Sequence, residues 1–188
     1  MVPSPLPPWP LTPPRHGRVS LREVRETDVA MALDLAGDPY VPQTGTLPAS
    51  PSPDDALAWV HRQRGRHAEG SGFSFTVVER RTGLAVGHCG LWLRAFPHGS
   101  AGYAIAPSFR GRGLATDALR ALTSFGWTVP GLERVELAIE PWNAASLRTA
   151  ERAGYRPAGS TTREIGGALR TVARYVALRP EGPPAPTL

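Results

Sequence analysis

The segment SFRGRGLATDAL, residues 108–119, constrains the fold more than any other part of the sequence. A predicted strand, AGYAIAP, ends at Pro107 just before it, and apolar residues at spacings of three and four predict a helix over 115–126. An arginine-rich turn, a nucleic-acid contact and a phosphate-binding loop are three interpretations of such a segment. The first backbone N–H groups of a helix have no partner within it, so the position favours a phosphate-binding loop.

Two common phosphate-binding loops do not fit these residues. A Walker A loop requires a lysine, and all 21 basic residues of the chain are arginines. A dinucleotide-binding loop requires glycine or alanine at its sixth position, where Thr116 stands. Gly111 and Gly113 would still let phosphate oxygens approach backbone N–H groups, and Arg110 and Arg112 add positive charge. The residues therefore predict a phosphate-binding loop of another kind.

The composition excludes several classes of protein. With 188 residues, 41% of them hydrophobic and 20% charged, the chain is expected to form one folded domain. Cys89 is the only cysteine, which excludes an intrachain disulfide and a multi-thiolate zinc site. Because there is no long apolar segment and no signal-peptide pattern, we expect a cytoplasmic protein without a membrane partner. The arginines that give the net charge of +5 are scattered, which disfavours nucleic acid as the main partner.

The distribution of proline sets the expected domain boundaries. Residues 1–17 hold seven prolines and are predicted to form a disordered arm, and the tail 179–188 is predicted to behave in the same way. Residues 18–178 form the predicted folded domain. Its hydrophobic patterns predict the element order β-α-α-β-β-β-α-β-α-β-β, an α/β (α+β) domain with a largely antiparallel sheet.

A known family matches the loop and its surroundings. The sequence RGRGLA fits the pattern Q/R-x-x-G-x-G/A through Arg110, Gly113 and Ala115, and the preceding strand carries a Gly-Tyr pair. The helix in PWNAASLRTAERAGY has an N-x-x-S motif, and SLREVRETD and GDPYV match two patterns near the start. On these residues the chain resembles the GNAT acyltransferases over 18–178, in the branch that acetylates the N-termini of ribosomal proteins.

The resemblance implies a fold and a site for the acyl donor. It implies a mixed sheet of six to seven strands with about four helices, in which the fourth and fifth strands splay apart to hold acyl-CoA. The backbone of Ile105 and Ala106 would pair with the pantetheine amides, and an N–H near Ala106 would polarise the thioester carbonyl. Asn143, whose alternative role is a helix N-cap, and Ser146 would contact the pantetheine arm. The pyrophosphate would lie on the loop formed by Arg110, Gly111, Arg112, Gly113, Leu114, Ala115 and Thr116.

The resemblance leaves the catalytic groups incomplete. Ser146 would protonate the departing thiolate, because Ala150 stands where many of these enzymes have a tyrosine. Ser100 stands where several relatives have a glutamate two residues before the Gly-Tyr pair, so no general base is identified. His88 and Glu136 on predicted strands are the two candidate bases, although the favoured interpretation of each is a hydrogen-bonded strand residue or part of a solvated face.

These residues imply an N-acetyltransferase that moves an acetyl group from acetyl-CoA to a primary amine by direct attack in a ternary complex, without a metal ion. The acceptor would be a protein N-terminus or a small-molecule amine, and the length of the acyl group depends on a pocket shape that the sequence does not define. A non-catalytic acyl-CoA-binding regulatory module and an RNA-binding protein are the alternative functions. A homodimer is the partner state that the sequence leaves open.

Overall fold

The computed structural model describes residues 6–180, which form one eight-stranded sheet and five α-helices. The strands are β1 (Arg15–His16), β2 (Val19–Glu23), β3 (Gly72–Glu79), β4 (Ala85–Ala95), β5 (His98–Ile105), β6 (Arg134–Ile139), β7 (Arg156–Ile165) and β8 (Ala168–Leu178). The helices are α1 (Val29–Ala36), α2 (Val41–Thr44), α3 (Pro53–Gly65), α4 (Leu114–Gly126) and α5 (Ala144–Arg152). Among the helices of this described part, none has the length and apolar character needed to span a membrane.

One pair of neighbouring strands gives the sheet its opening. The strand order is β1-β2-β3-β4-β5-β6-β8-β7, and every pair is antiparallel except β5 with β6. These two parallel strands pair only from His98 to Ser100 and from Arg134 to Glu136. Beyond those residues the strands continue without pairing to each other and leave a gap, which we call the cleft. The predicted fold class, a mixed sheet with splayed fourth and fifth predicted strands, is confirmed.

Helices cover both faces of the sheet. On one face, α4 contacts β1, β2, β4, β5 and α5, and the larger hydrophobic core lies beneath it. On the other face, α1 and α3 cover β3 and β4 and enclose a second, smaller core. The cleft therefore opens beside a sheet whose centre is packed from both sides, and its strands are held in place by two independent cores.

Local sequence signals explain where the helices begin. Ser52 and Asp55 form a capping box at α3, with Pro53 at the first helical position. Asn143 caps α5 by accepting a hydrogen bond from the Ser146 N–H (3.1 Å), which confirms its predicted role as an N-cap. α4 begins directly after a glycine with positive φ, as discussed below.

The prediction of a disordered arm over 1–17 is wrong for residues 6–17. Leu6 is buried in the larger core, and the indole of Trp9 lies 4.8 Å from the ring of Phe75, measured between centroids. β1 also adds a short edge strand to β2. Burial of these side chains offsets the entropy of ordering the segment, and its prolines reduce that entropy. Residues 1–5 and 181–188 lie outside the described part of the chain.

Candidate active site

The cleft is lined by main-chain groups of β5. The N–H of Ala106 donates to the Val86 carbonyl oxygen (3.0 Å), so it faces β4 and not the cleft. In an antiparallel pair, successive residues turn their N–H and C=O groups alternately to the two sides of the strand. Tyr103 and Ile105 therefore present their main-chain groups to the cleft, where β6 has stopped pairing. The carbonyl oxygen of Ile105 accepts a hydrogen bond from Arg110 Nε (2.9 Å).

This geometry corrects one predicted contact. Ile105 faces the cleft as expected, but the Ala106 N–H is already hydrogen-bonded within the sheet and its side chain is fully buried. This geometry disfavours the predicted pairing of the Ala106 N–H with a pantetheine amide, because a buried donor would have to give up its partner. The predicted N–H near Ala106 for the thioester carbonyl stays a prediction, and the Ile105 N–H lies on the cleft side of the strand. The main-chain groups of Tyr103, two residues before Ile105, face the cleft together with those of Ile105. The period of two in a strand is the signal that identifies it.

The loop after β5 presents a run of free N–H groups. Gly111 and Gly113 both have positive φ (74° and 73°), a conformation that glycine adopts without strain. Among the hydrogen bonds within residues 6–180, none is donated by a backbone N–H of residues 111–116. Since these groups surround the N-terminus of α4, the loop has the main-chain geometry that favours an anion.

Arg18 holds this loop from behind. Its guanidinium donates to Asp117 Oδ2 (2.7 Å) and to the carbonyl oxygens of Arg112 and Gly113, the latter at 3.3 Å. A Cβ added at Gly113 would lie 2.6 Å from Arg18 Nη2. Burial opposes the ionisation of Asp117, but hydrogen bonds from the Arg18 side chain and N–H outweigh it and hold the pKa of Asp117 below its usual value. Carbonyl groups point to Arg18, which leaves the N–H groups for a ligand.

The two arginines of the loop are engaged by carboxylates. Arg110 forms an ion pair with Asp38 and Arg112 forms one with Glu79. Burial opposes the ionisation of Asp38, but the hydrogen bonds from Arg110 and from the main chain lower its pKa. The predicted positive charge of these side chains is thus largely compensated within the protein. The ion pairs of Arg110 and Arg112 hold the loop in its conformation, and the unbonded N–H groups of the loop are the groups available to an anion.

A cavity of about 480 Å³ lies beside the loop. Its lining contains four guanidinium groups and one carboxylate, and consists of Arg18, Glu79, Arg80, Arg81, Arg112 and Leu114. The excess of positive charge makes this cavity attractive to a further anionic group next to the loop.

The N-terminus of α5 meets β5 through two hydroxyl groups. Ser146 Oγ lies 2.8 Å from the Tyr103 hydroxyl, which also donates to the Ser146 carbonyl oxygen (3.3 Å). Burial raises the pKa of Tyr103, so the phenol keeps its proton at neutral pH. Ala150, one turn later, is fully buried in the larger core. The structure thus places a tyrosine hydroxyl next to Ser146, but from the strand and not from the helix.

The two candidate bases are both engaged elsewhere. His88 Nε2 lies 2.7 Å from Ser74 Oγ beneath α3, and burial lowers the pKa of His88 to about 4. It is therefore neutral at neutral pH, and it stands on β4, one strand away from the cleft. Glu136 lies at the last paired position of β6, where two guanidinium groups hold it: Arg134 Nε at 2.7 Å and Arg174 Nη2 at 3.4 Å. Neither side chain is a free acceptor facing the cleft.

Glu140, which the sequence analysis missed, lies at the end of β6. Its carboxylate is buried, and Oε1 accepts a hydrogen bond from Arg170 (2.9 Å), which lowers the pKa of Glu140 despite the burial. Oε2 has no hydrogen-bond partner among the described residues. Tyr40 and Trp142 pack edge-on in the same place, with ring centroids 4.7 Å apart, and Trp142 is 62% exposed. Within residues 6–180 no cluster of metal-ligating side chains is present.

A mixed sheet that opens between two parallel strands, with a main-chain anion site at the end of one of them, is the architecture that the resemblance predicted for acyl-CoA N-acyltransferases. The sequence model described as the acetyltransferase (GNAT) domain matches residues 18–156. The chain belongs to the GNAT acetyltransferase family, and the predicted family and enzyme class are confirmed.

Individual relatives have low sequence identity to this chain, but the matches cover most of both chains. The uncharacterized N-acetyltransferase p20 of Bacillus licheniformis is 24% identical over 144 residues, which cover 76% of this chain and 81% of that protein. A putative ribosomal-protein-serine acetyltransferase from Vibrio cholerae superposes with a TM-score of 0.73 at 22% identity, covering 90% of this chain and 98% of that one. RimJ of Mycobacterium smegmatis, solved with CoA-disulfide, gives a TM-score of 0.74 at 24% identity, covering 89% and 86%.

Proposed function

We propose that the protein acetylates the N-terminal amine of a protein, with acetyl-CoA bound in the cleft between β5 and β6. The observation that carries the donor assignment is the run of unbonded N–H groups over 111–116 at the end of the opened strand. The similarity to the ribosomal-protein-serine acetyltransferase and to RimJ supports a protein N-terminus as the acceptor.

The donor is held mainly by the main chain. The pantetheine arm pairs with the cleft-facing groups of β5 at Tyr103 and Ile105, much as an added strand would. The pyrophosphate binds to the N–H groups of 111–116, and the arginine-lined cavity attracts the phosphorylated nucleotide end. Asn143 has its side-chain oxygen committed to the helix cap, which leaves its amide N–H groups for a pantetheine carbonyl.

The residues around the cleft account for direct transfer without a metal ion. The acceptor nitrogen attacks the thioester carbon, a C–N bond forms and the C–S bond breaks. A cleft-facing N–H of β5 stabilises the negative charge that develops on the carbonyl oxygen. Ser146 donates its hydroxyl proton to the departing sulfur, and the proton lost by the acceptor ammonium leaves through water. His88 takes no part in this scheme, because it is neutral, in contact with Ser74 and one strand away.

The acceptor approaches from the side of Glu140. We call this region the acceptor side; it comprises the α1–α2 loop, the turn 140–143 and the β7–β8 hairpin. It adjoins Ser146 and carries Tyr40, Trp142 and Arg170 around an ionised carboxylate. An ammonium group is the acceptor chemistry that such a carboxylate and two aromatic rings favour.

A CoA-release assay tests the proposal. Purified protein is incubated with acetyl-CoA and with peptides that carry different N-terminal residues, with small-molecule amines in parallel. Release of CoA with peptides, and a gain of one acetyl group on the peptide N-terminus by mass spectrometry, is the expected result. Turnover with small amines and not with peptides would show that the acceptor is a small molecule and not a protein N-terminus. No turnover together with tight CoA binding would favour a regulatory module.

A further inference from the structure

The contact between Tyr103 and Ser146 joins the two sides of the cleft. Tyr103 belongs to β5 and Ser146 to the first turn of α5, and their hydroxyl oxygens lie 2.8 Å apart. The main-chain groups of Tyr103 face the donor arm while its hydroxyl reaches the serine. One residue thus fixes the serine hydroxyl relative to the position of the thioester.

Two arrangements of hydrogen bonds satisfy these contacts. Either Tyr103 donates to the Ser146 carbonyl oxygen (3.3 Å) while Ser146 Oγ donates to the Tyr103 oxygen, or Tyr103 donates to Ser146 Oγ. In the second arrangement the hydroxyl proton of Ser146 is available to another acceptor. Once Ser146 has given up that proton only the second arrangement remains, because Oγ can then only accept. Burial of Tyr103 keeps its phenol protonated, so the arrangement persists at neutral pH.

We propose that Tyr103 is a positioning residue for protonation of the leaving thiolate, a role that rests on the proposed acetyl transfer. When the C–S bond breaks, the proton of Ser146 moves to the sulfur and negative charge develops on Ser146 Oγ. The hydrogen bond from Tyr103 stabilises that charge, while Tyr103 keeps its own proton. Ser146 then recovers a proton from the water that carries the proton lost by the acceptor. Tyr103 thereby supports protonation of the thiolate from the strand, because the helix position at Ala150 has no hydroxyl group.

A matched control exists elsewhere in the chain. Thr123 of α4 and Tyr155, the residue before β7, form a second, buried hydroxyl pair, 2.7 Å apart. Tyr155→Phe removes the same kind of hydrogen bond from a tyrosine without touching Ser146. A purely structural role of Tyr103 predicts that Tyr103→Phe and Tyr155→Phe have equal effects on the reaction.

The first test compares kcat and acetyl-CoA affinity for Tyr103→Phe, Ser146→Ala, the double variant and Tyr155→Phe. We expect Tyr103→Phe to lower kcat about tenfold, the effect of one hydrogen bond to a developing charge, with the Kd of acetyl-CoA unchanged within about twofold. The double variant should be no slower than Ser146→Ala, because Tyr103 acts through that hydroxyl. A kcat of Tyr103→Phe equal to that of Tyr155→Phe would overturn the proposal, and so would additive effects in the double variant.

A second test needs no acceptor and separates this proposal from the proposed function. The pH dependence of alkylation of the CoA thiol is measured with each variant saturated with CoA. A hydroxyl that donates to the sulfur favours the thiolate, so the thiol pKa should be lowest in the wild type and Tyr155→Phe and higher in Tyr103→Phe and Ser146→Ala. Identical profiles in all four proteins would overturn the role of Tyr103. Absence of turnover with every amine would contradict only the proposed acetyl transfer.

Discussion

The two sides of the cleft are built from different chemical groups. On the side proposed for acetyl-CoA, which we call the donor side, β5 and residues 111–116 present backbone N–H and C=O groups. Strand register and two glycines determine where these groups point. On the acceptor side, side chains define the surface: Glu140 with Arg170, and Tyr40 against Trp142. A main-chain site tolerates many sequences, whereas a side-chain site changes with each substitution.

The family match covers the two sides unequally. It ends at residue 156, the first residue of β7, so the β7–β8 hairpin of the acceptor side lies beyond it. Leu169 in this hairpin is 78% exposed, and every residue of β7 is exposed or half-buried.

The largest expected effect on stability concerns Asp28, a buried carboxylate in the turn between β2 and α1. Asp28 accepts hydrogen bonds from Arg22 (2.6 and 2.8 Å), from Thr76 Oγ1 (2.6 Å) and from the Arg25 N–H (2.8 Å). Asp28→Ala leaves a guanidinium without its partner and should lower the free energy of unfolding by about 3–5 kcal/mol. Urea denaturation measures this change. Asp54→Ala, at an exposed helix position, is the control; an equal effect there would contradict the argument.

The same carboxylate should make stability depend on pH. Burial opposes the ionisation of Asp28, but hydrogen bonds from Arg22, Thr76 and Arg25 outweigh it and lower its pKa. Its stabilisation is therefore complete above the pKa of the unfolded chain, about 4, and is lost as pH falls through the lower folded value. Thermal melts from pH 7 to pH 2 should show a steep acid decline that is shallower in Asp28→Asn. Parallel curves for the two proteins would exclude this role of Asp28.

Among substitutions on the donor side, Gly113→Ala should weaken CoA binding most. The added methyl group meets Arg18 Nη2 at 2.6 Å, and alanine at a φ of 73° costs about 1–2 kcal/mol by itself. We expect the Kd of CoA, measured by calorimetry, to rise about tenfold or more. Gly83→Ala is the matched control, because Gly83 has the same φ of 73° in a turn with no atom within 4 Å of the added group. If both variants bind CoA equally well, the loop is not the pyrophosphate site.

A smaller effect should locate the nucleotide end of the donor. Arg81 lines the cavity beside the loop, and Arg81→Ala should weaken CoA binding about threefold to tenfold, most strongly at low salt. Binding of 3′-dephospho-CoA should be almost unaffected by the same substitution. Equal losses for both ligands would place the 3′-phosphate outside this cavity.

The smallest effect on the donor is expected for Trp142→Ala. The side chain is 62% exposed and lies on the acceptor side, so the Kd of CoA should stay within about twofold of the wild type. The KM of the best acceptor in the CoA-release assay should rise about threefold or more through loss of the aromatic surface. A change in CoA affinity with an unchanged acceptor KM would reverse the assignment of the two sides.

Sequence reasoning succeeded where the signal is local. The strand–glycine–helix segment predicted the loop and the helix that follows it, and Asn143 predicted its own cap, because each depends on neighbours within a few residues. Arg18 and Asp117 are 99 residues apart, and Tyr103 and Ser146 are 43 apart, so no local pattern links them. The carboxylate partners of the two loop arginines were missed for the same reason. The prediction of a disordered arm failed because composition alone does not show that Trp9 packs against Phe75 in the core.

Amide hydrogen exchange with and without acetyl-CoA tests most directly whether the main chain of the cleft holds the donor. If the main chain holds the donor, acetyl-CoA protects the amides of Tyr103, Ile105 and residues 111–116, with little change at Ala106, whose N–H is already bonded to Val86. Gly113→Ala should abolish this protection, whereas Gly83→Ala should retain it. Protection elsewhere, or none at these residues at saturating acetyl-CoA, would contradict this assignment of the donor site.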